Sequence, residues 1–136
     1  MNRNERLLMR AFNKSIESNH PIFPMGAILA QGNRIISYGT NKHGCTHPKQ
    51  KVRTNSLGME YGRHFPHAEL ICLLAAPKNK RIGSTIYVAR RLNKGGTGMA
   101  KPCQHCHTYL LNEGVKKVVY TVKSEDFTNW YNDYYL

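Results

Sequence analysis

No stretch of this sequence stays apolar for long. The longest apolar patches, such as Leu70 to Ala76, fall far short of the about 20 residues that cross a bilayer, which excludes a membrane-spanning helix. Cysteine is scarce too: four residues, at positions 45, 72, 103 and 106, would form a disulfide framework only in an exported chain. Met1-Asn2-Arg3-Asn4-Glu5-Arg6 is charged and has no apolar run behind it, so a leader for export is not expected. A reducing, cytoplasmic setting is the expectation, and there adjacent thiols bind metal more often than they form disulfides. Internal repeats, low-complexity tracts and boundary-like linkers are absent. The 136 residues read as a single domain spanning 1–136, large enough to bury roughly two-thirds of its unfolded surface.

Acidic residues are few. Eight Asp and Glu stand against 20 Lys and Arg, a formal net charge of +12, which attracts phosphate-bearing partners without saying which. A polynucleotide, a nucleotide monophosphate and plain solubility are all compatible with it. The cations are not gathered in a tail; Lys49, Lys51, Arg53 and Arg63, then Arg90, Arg91, Lys94 and Lys101, flank the two motifs described below.

Hydrophobic periodicity supplies the frame. Leu8, Phe12 and Ile16, with Leu7 and Ala11 beside them, recur at helical spacing and predict an amphipathic helix from Asn4 to about Ser18 that packs on a sheet. His20-Pro21 and Pro24 end it. Met25 to Ala30 and Ile35 to Tyr38, joined by Gln31-Gly32-Asn33-Arg34, predict a β-hairpin. The stretch from His43 to His64 is long, polar and aperiodic, as functional or mobile loops are. Its His43, Cys45, His47 and His64 lack tight metal-ligand spacing and read as loop residues, with a second zinc as the alternative.

Behind Pro66 and His67-Ala68-Glu69 the run Leu70 to Ala76, apolar on nearly every face, predicts a buried helix in which Cys72 is a core residue. Pro77 to Lys80 reads as a loop, and Ser84 to Ala89 as a third strand. Arg90 to Lys101 is basic and holds Gly95-Gly96-Thr97-Gly98, which match no phosphate-binding glycine pattern and read as a flexible loop. Pro102 leads a helix through Leu111 to a Gly114 cap, and Val115 to Val122 is a fourth strand. The tail's Phe127, Trp130, Tyr131, Tyr134 and Tyr135 read as closing one end of the core, with base stacking as the alternative.

The chemistry is concentrated in Pro66-His67-Ala68-Glu69 and Pro102-Cys103-Gln104-His105-Cys106. A catalytic zinc site has three protein ligands and an open position, and His67, Cys103 and Cys106 make three. Cys103 and Cys106 share one face at the start of a helix, whose positive end favours thiolate. His67 sits in the corresponding turn of the other helix. Two such helices can present their N-termini at one sheet edge, where α/β ligand sites lie. Glu69, two residues past a ligand, is placed for proton transfer to and from a water.

These two motifs resemble the signature of the zinc-dependent cytidine and deoxycytidylate deaminase superfamily. Gly39-Thr40-Asn41 resembles the Gly-x-Asn that ends the second strand in that family, and Gly83 to Val88 and Leu110 to Tyr120 resemble the segments flanking the cysteines. The resemblance spans about Gly26 to Tyr120. It implies Zn2+ on His67, Cys103 and Cys106, proton transfer by Glu69 and a substrate contact by Asn41. It implies an α/β fold, a three-layer α/β/α domain with a mixed sheet of four to five strands in the order 2-1-3-4. The short tail fits an antiparallel last strand, as in free cytidine deaminases. The implied reaction is hydrolytic deamination of a cytosine-bearing nucleoside or nucleotide with release of ammonia. Deamination of single-stranded DNA or RNA is one alternative. The other is a non-catalytic zinc module in which His105, His107 or a loop residue closes the fourth position. A homo-oligomer is expected, as for relatives. Lys101 and His107 depart from the family pattern, at positions expected to flank the pocket mouth.

Overall fold

A computed structural model describes residues 1–42 and 67–136. The loop containing His43, Cys45, His47 and His64, with the second-zinc alternative, and Pro66 lie outside the described residues. The chain begins with α1 (Arg3–Lys14) and a 3-10 turn (Ser15–Glu17), followed by the hairpin β1 (Met25–Gln31) and β2 (Arg34–Thr40). Next come α2 (Ala68–Ala75), the short α3 (Lys78–Arg81), β3 (Thr85–Arg91) and β4 (Thr97–Gly98), then α4 (Gln104–Asn112), β5 (Lys117–Thr121) and β6 (Tyr131–Tyr135).

The strands form one sheet in the order β2-β1-β3-β5-β6, with β4 paired to the end of β3. Among the described strands only β3 and β5 are parallel neighbours, and the crossover between them runs through α4. The order 2-1-3-4 is thus as the family resemblance implies, and the last strand is antiparallel as the short tail suggests. The two-residue β4 is an addition: the segment read as a flexible glycine-rich loop turns at Gly95 and Gly96 and pairs Thr97 and Gly98 back on Arg91 and Arg90.

Alternation along the strands divides the core in two. Ala27, Leu29, Ile86, Val88 and Val118 face α2 and α4, while Ile28, Ala30, Tyr87, Ala89 and Val119 face α1, so helices cover both faces of the sheet. Asn2 starts α1 with a capping box, its side chain accepting from the Glu5 N–H at 2.9 Å while the Glu5 carboxylate accepts from the Asn2 N–H at 3.3 Å. Leu7, Leu8 and Ala11 are buried, but Ile16 is 64% exposed. The tightening to 3-10 at Ser15 breaks the helical phase on which the Leu8-Phe12-Ile16 stripe depends, and Ser15 takes the inward position instead.

Helices lie directly on glycines. A Cβ at Gly26 would come within 2.2 Å of the Ala11 carbonyl oxygen, and one at Gly39 within 2.4 Å of that of Ala68. The second contact sets α2 against β2 and so fixes where His67 emerges. Pro77 to Lys80, expected to be a loop, instead caps and forms most of the single helical turn α3. In the tail, Trp130 is buried against α1, and Phe127 bridges Trp130 and Phe12 by edge contacts of 5.3 Å each. Trp130 thus takes the core-closing role expected of the tail, whereas Tyr135, on the last strand, is 73% exposed and does not. No helix among the described residues is long and apolar enough to cross a membrane.

Candidate metal centre

His67 and Cys103 are the N-cap residues of α2 and α4, and both have extended backbone there. A chain entering a helix in this conformation turns its N-cap side chain toward the helix end. Because α2 and α4 start at the same edge of the sheet, the two side chains converge. Pro102 precedes the N-cap rather than occupying the first helical position. Cys106 follows one turn into α4 and is buried.

His67 Nδ1 lies 3.1 Å from Cys106 Sγ and 3.8 Å from Cys103 Sγ, and the three donor atoms all fall within 4.8 Å of one another. Tetrahedral zinc, with bonds near 2.3 Å to sulfur and 2.0–2.1 Å to nitrogen, separates such donors by roughly 3.5–3.8 Å, a spacing these distances bracket. One imidazole and two thiols are also the soft donor set zinc favours. The residues present therefore fit a zinc ion.

The electrostatics are those of a tightly coupled cluster. Cys103 is held down to about 3, chiefly by the hydrogen bond from Cys106 and, against the effect of burial, by His67. Cys106 goes the other way, well above the ordinary thiol range, because it supplies that hydrogen bond and is buried. Burial opposes charge on His67, but its hydrogen bond to Cys103 and the negative charges of Glu69 and Cys103 outweigh this and raise it. Glu69 is 4% exposed, and burial raises its carboxyl above the usual range against the pull of His67.

A cavity of about 260 Å³ opens beside the cluster, and Glu69, His67 and Cys103 form its floor. Asn41 also lines it, and most of its amide is already engaged. Its Oδ1 accepts from the Met25 N–H at 3.0 Å and from Ser18 Oγ, and its Nδ2 donates to the Phe23 carbonyl at 2.7 Å. Of the two departures from the family pattern, Lys101 lines the cavity. His107 does not: its Nδ1 lies 3.3 Å from Tyr134 Oη, with the rings stacked. That contact draws His107 onto β6, away from both the pocket mouth and the metal donors. Among the described residues no fourth donor joins the cluster. Cys72 is a core residue as expected, its thiol pushed up to about 12 by burial.

Sequence reasoning missed Phe23, Met25 and Met99, which form much of the apolar wall. It counted Arg90 only as one of several cations. The signal available for Phe23 and Met25 was the extended segment from His20-Pro21 to Pro24, in which His20 and Phe23 line the cavity.

Three protein donors, a buried carboxylate beside them and a cavity at the helix-bearing edge of an α/β/α sheet define a zinc-dependent hydrolase. The family model described as "Cytidine and deoxycytidylate deaminase zinc-binding region" matches residues 1–122, and the chain belongs to that family of zinc-dependent hydrolytic deaminases. Among solved structures, the dCMP deaminase of the cyanophage S-TIM5 in apo form is 22% identical, with a TM-score of 0.58 over 91% of this chain and 86% of that one. A second structure of that enzyme, in complex with dCMP and dUMP, gives 22% identity and a TM-score of 0.57, covering 90% of this chain and 82% of that one. The diaminohydroxyphosphoribosylaminopyrimidine deaminase/5-amino-6-(5-phosphoribosylamino)uracil reductase of Thermotoga maritima is 23% identical at a TM-score of 0.56, over 90% of this chain and 30% of that one. At these identities the likeness is one of fold. No curated protein matches the sequence.

Proposed function

We propose that the protein hydrolyses the exocyclic amine of a free cytosine nucleoside or nucleotide, converting it to the uracil form and releasing ammonia. The observation that carries this reading is Glu69: a carboxylate 4% exposed, on the first turn of α2, in the floor of the cavity two residues from His67. A carboxylate that only complemented the helix dipole would gain nothing from burial.

His67, Cys103 and Cys106 would hold the zinc, and the chemistry supplied by such an ion is Lewis-acid activation of water. The chain's own residues do the rest. Glu69 takes a proton from the water that attacks C4 and returns protons to the ring nitrogen and the departing amine, so that cytosine and water become uracil and ammonia. Burial raises its carboxyl, which brings its two protonation states closer in energy, as a group that both accepts and donates requires. Phe23, Met25 and Met99 wall the cavity and limit competing water. Asn41, its Oδ1 fixed by Met25 and Ser18, has one amide hydrogen beyond that given to Phe23 and offers it to the substrate.

The antiparallel β6 supports a free substrate over a polymer, in keeping with the resemblance to free cytidine deaminases. Self-association and a reducing cytoplasmic setting, in which the free thiols persist, belong to the same proposal, and sedimentation velocity reads the first. The reaction is tested with Glu69→Ala. Zinc content is expected to stay near one per chain while ammonia release falls by roughly 10²–10⁴-fold. Cytidine, deoxycytidine, their monophosphates and a single-stranded oligonucleotide are assayed side by side. Full activity in Glu69→Ala sinks the mechanism, and turnover of the oligonucleotide alone sinks the substrate.

A further inference from the structure

Arg90 is held between an aromatic ring and a glycine backbone. Its guanidinium lies over the Phe23 ring, 4.3 Å from the centroid. Its stem passes over Gly98, where a Cβ would come within 3.0 Å of Arg90 Cδ and 3.1 Å of Nε. An aromatic ring and a side-chain-free backbone thus bound the arginine and restrict its rotamers.

Both walls are themselves tied down. The Arg90 N–H donates to Thr121 Oγ1 at 3.0 Å, and the Thr121 hydroxyl donates to the Gly98 carbonyl at 2.7 Å. On the Phe23 side, Asn93 Nδ2 donates to the Pro21 carbonyl, the Arg91 N–H to that of Pro24, and Asn41 Nδ2 to that of Phe23. The ordering that a bound anion would otherwise have to impose is already complete.

Among the described residues the arginine has no hydrogen-bonding or ion-pairing partner for its side chain. Its Nε is buried without a hydrogen bond, and the guanidinium takes part in no ion pair among the described residues. Burying such a donor unpaired is unfavourable unless an anion completes the arrangement. Arg90 lines the same cavity as Glu69, together with His20, Lys42 and Lys101, and Glu69 is the sole carboxylate of that lining among the described residues.

We infer that Arg90 is the specificity-determining residue that selects a nucleoside 5′-monophosphate, its fork engaging the phosphate while the base lies against Glu69. The inference rests on the deaminase reading of the cavity and deepens it. A planar guanidinium pairs with two phosphate oxygens at once, whereas a neutral nucleoside leaves it unpaired. A polynucleotide would call for cations strung along a groove. Here they converge on about 260 Å³, close to the lower end of small-ligand pockets, about 300–1,000 Å³.

Binding of reaction products tests this without turnover. Uridine and deoxyuridine, each with and without a 5′-phosphate, are titrated calorimetrically into the zinc-loaded full chain. The phosphorylated form is expected to bind on the order of 10- to 100-fold tighter. Arg90→Gln is expected to bring that ratio close to one at unchanged zinc content, and Arg90→Lys to restore part of it by charge without the fork. Phe23→Leu, which keeps the charge but removes the ring, lowers the ratio less, and serves where Arg90→Gln does not fold. Equal affinities in the unaltered protein, a preference that survives Arg90→Gln, tighter binding of a single-stranded oligonucleotide or no binding of any product would each overturn the inference. Ammonia release decides the deaminase reading separately, since a phosphate preference lost through Arg90 is read whether or not the amine is hydrolysed.

Discussion

His67 and Cys103 each cap a helix, and their side chains meet, Nδ1 to Sγ, at 3.8 Å. The metal cluster therefore joins the starts of α2 and α4, whose far ends are bridged by Arg81. A ligand that binds only the folded chain stabilises it by mass action. Chelation is expected to lower the thermal midpoint, and added zinc to restore it. Cys106→Ser should abolish that response, and differential scanning fluorimetry with and without chelator measures both. A midpoint that ignores zinc in the unaltered protein would refute the coupling.

The two thiols differ enough for chemistry to tell them apart in the metal-stripped chain. Cys103 is exposed and held down to about 3, first by the Cys106 hydrogen bond, whereas Cys106 is buried and pushed well up. An ordinary thiol near 9 gains thiolate about tenfold per pH unit below its pKa. Cys103, already thiolate throughout, is expected to react with iodoacetamide at a rate nearly flat from about pH 5 to 8. Peptide mass mapping should find the label on Cys103 and not on Cys106, and bound zinc should suppress it. A rate that climbs tenfold per unit over that interval would contradict the assignment.

Gly39 of the Gly39-Thr40-Asn41 segment has a packing reason to be glycine. A Cβ there would lie 2.4 Å from the Ala68 carbonyl oxygen and 2.5 Å from the Cys72 nitrogen, both backbone atoms of α2 that cannot swing aside. Gly39→Ala should destabilise the protein by about 3 kcal/mol, the upper end of overpacking costs, as read by urea denaturation. Because the same displacement moves His67, zinc occupancy should fall with it. A neutral substitution would mean that α2 does not rest on β2 in this way.

Much of this was legible in the chain because the chemistry is written at short spacing. Cys103 and Cys106 lie one helical turn apart and Glu69 lies two residues past His67, so neither pairing needs tertiary information. The four β-prone runs were legible from propensity, whereas their order in the sheet came with the resemblance to the deaminase family. Ile16 was misread because its outward turn depends on where the helix tightens, which the apolar spacing does not encode. His107 was misplaced because Tyr134, on a strand that forms later in the chain, draws it away from the pocket. The Phe23–Arg90 stack joins two segments distant in sequence, and periodicity carries no signal for such a contact.

Arg81 offers a test of how the helix ends behind the site are held. It is 5% exposed, its Nε and Nη2 donate to the Ala76 carbonyl at 3.1 and 2.9 Å, and its Nη1 pairs with Glu113 at the end of α4. One guanidinium thus secures the C-terminal ends of both α2 and α4. Arg81→Met should cost about 2–4 kcal/mol, since it strands the Ala76 carbonyl while Glu113, partly exposed, recovers water. Arg81→Lys, which keeps the charge but not the fork, should fall between the two. Equilibrium unfolding measures both, and equal stability of all three chains would show the bridge to be inert.

Thr121 links the fold to the arginine at the cavity. Its buried hydroxyl accepts from the Arg90 N–H at 3.0 Å and donates to the Gly98 carbonyl at 2.7 Å, joining β5 to both β3 and β4. Thr121→Val keeps the shape and removes both bonds, leaving one buried donor and one buried acceptor unpaired at about 1–3 kcal/mol each. Thr121→Ser keeps the hydroxyl and should lose less than about 1.5 kcal/mol, the usual ceiling for such a small deletion. The informative comparison is between stability and binding. If Thr121 sets the track of Arg90 along Gly98, Thr121→Val should weaken binding of a nucleoside monophosphate more than that of its nucleoside, whereas a purely structural role would lower both alike. Calorimetric titration of the two ligands into Thr121→Val and Thr121→Ser separates these outcomes.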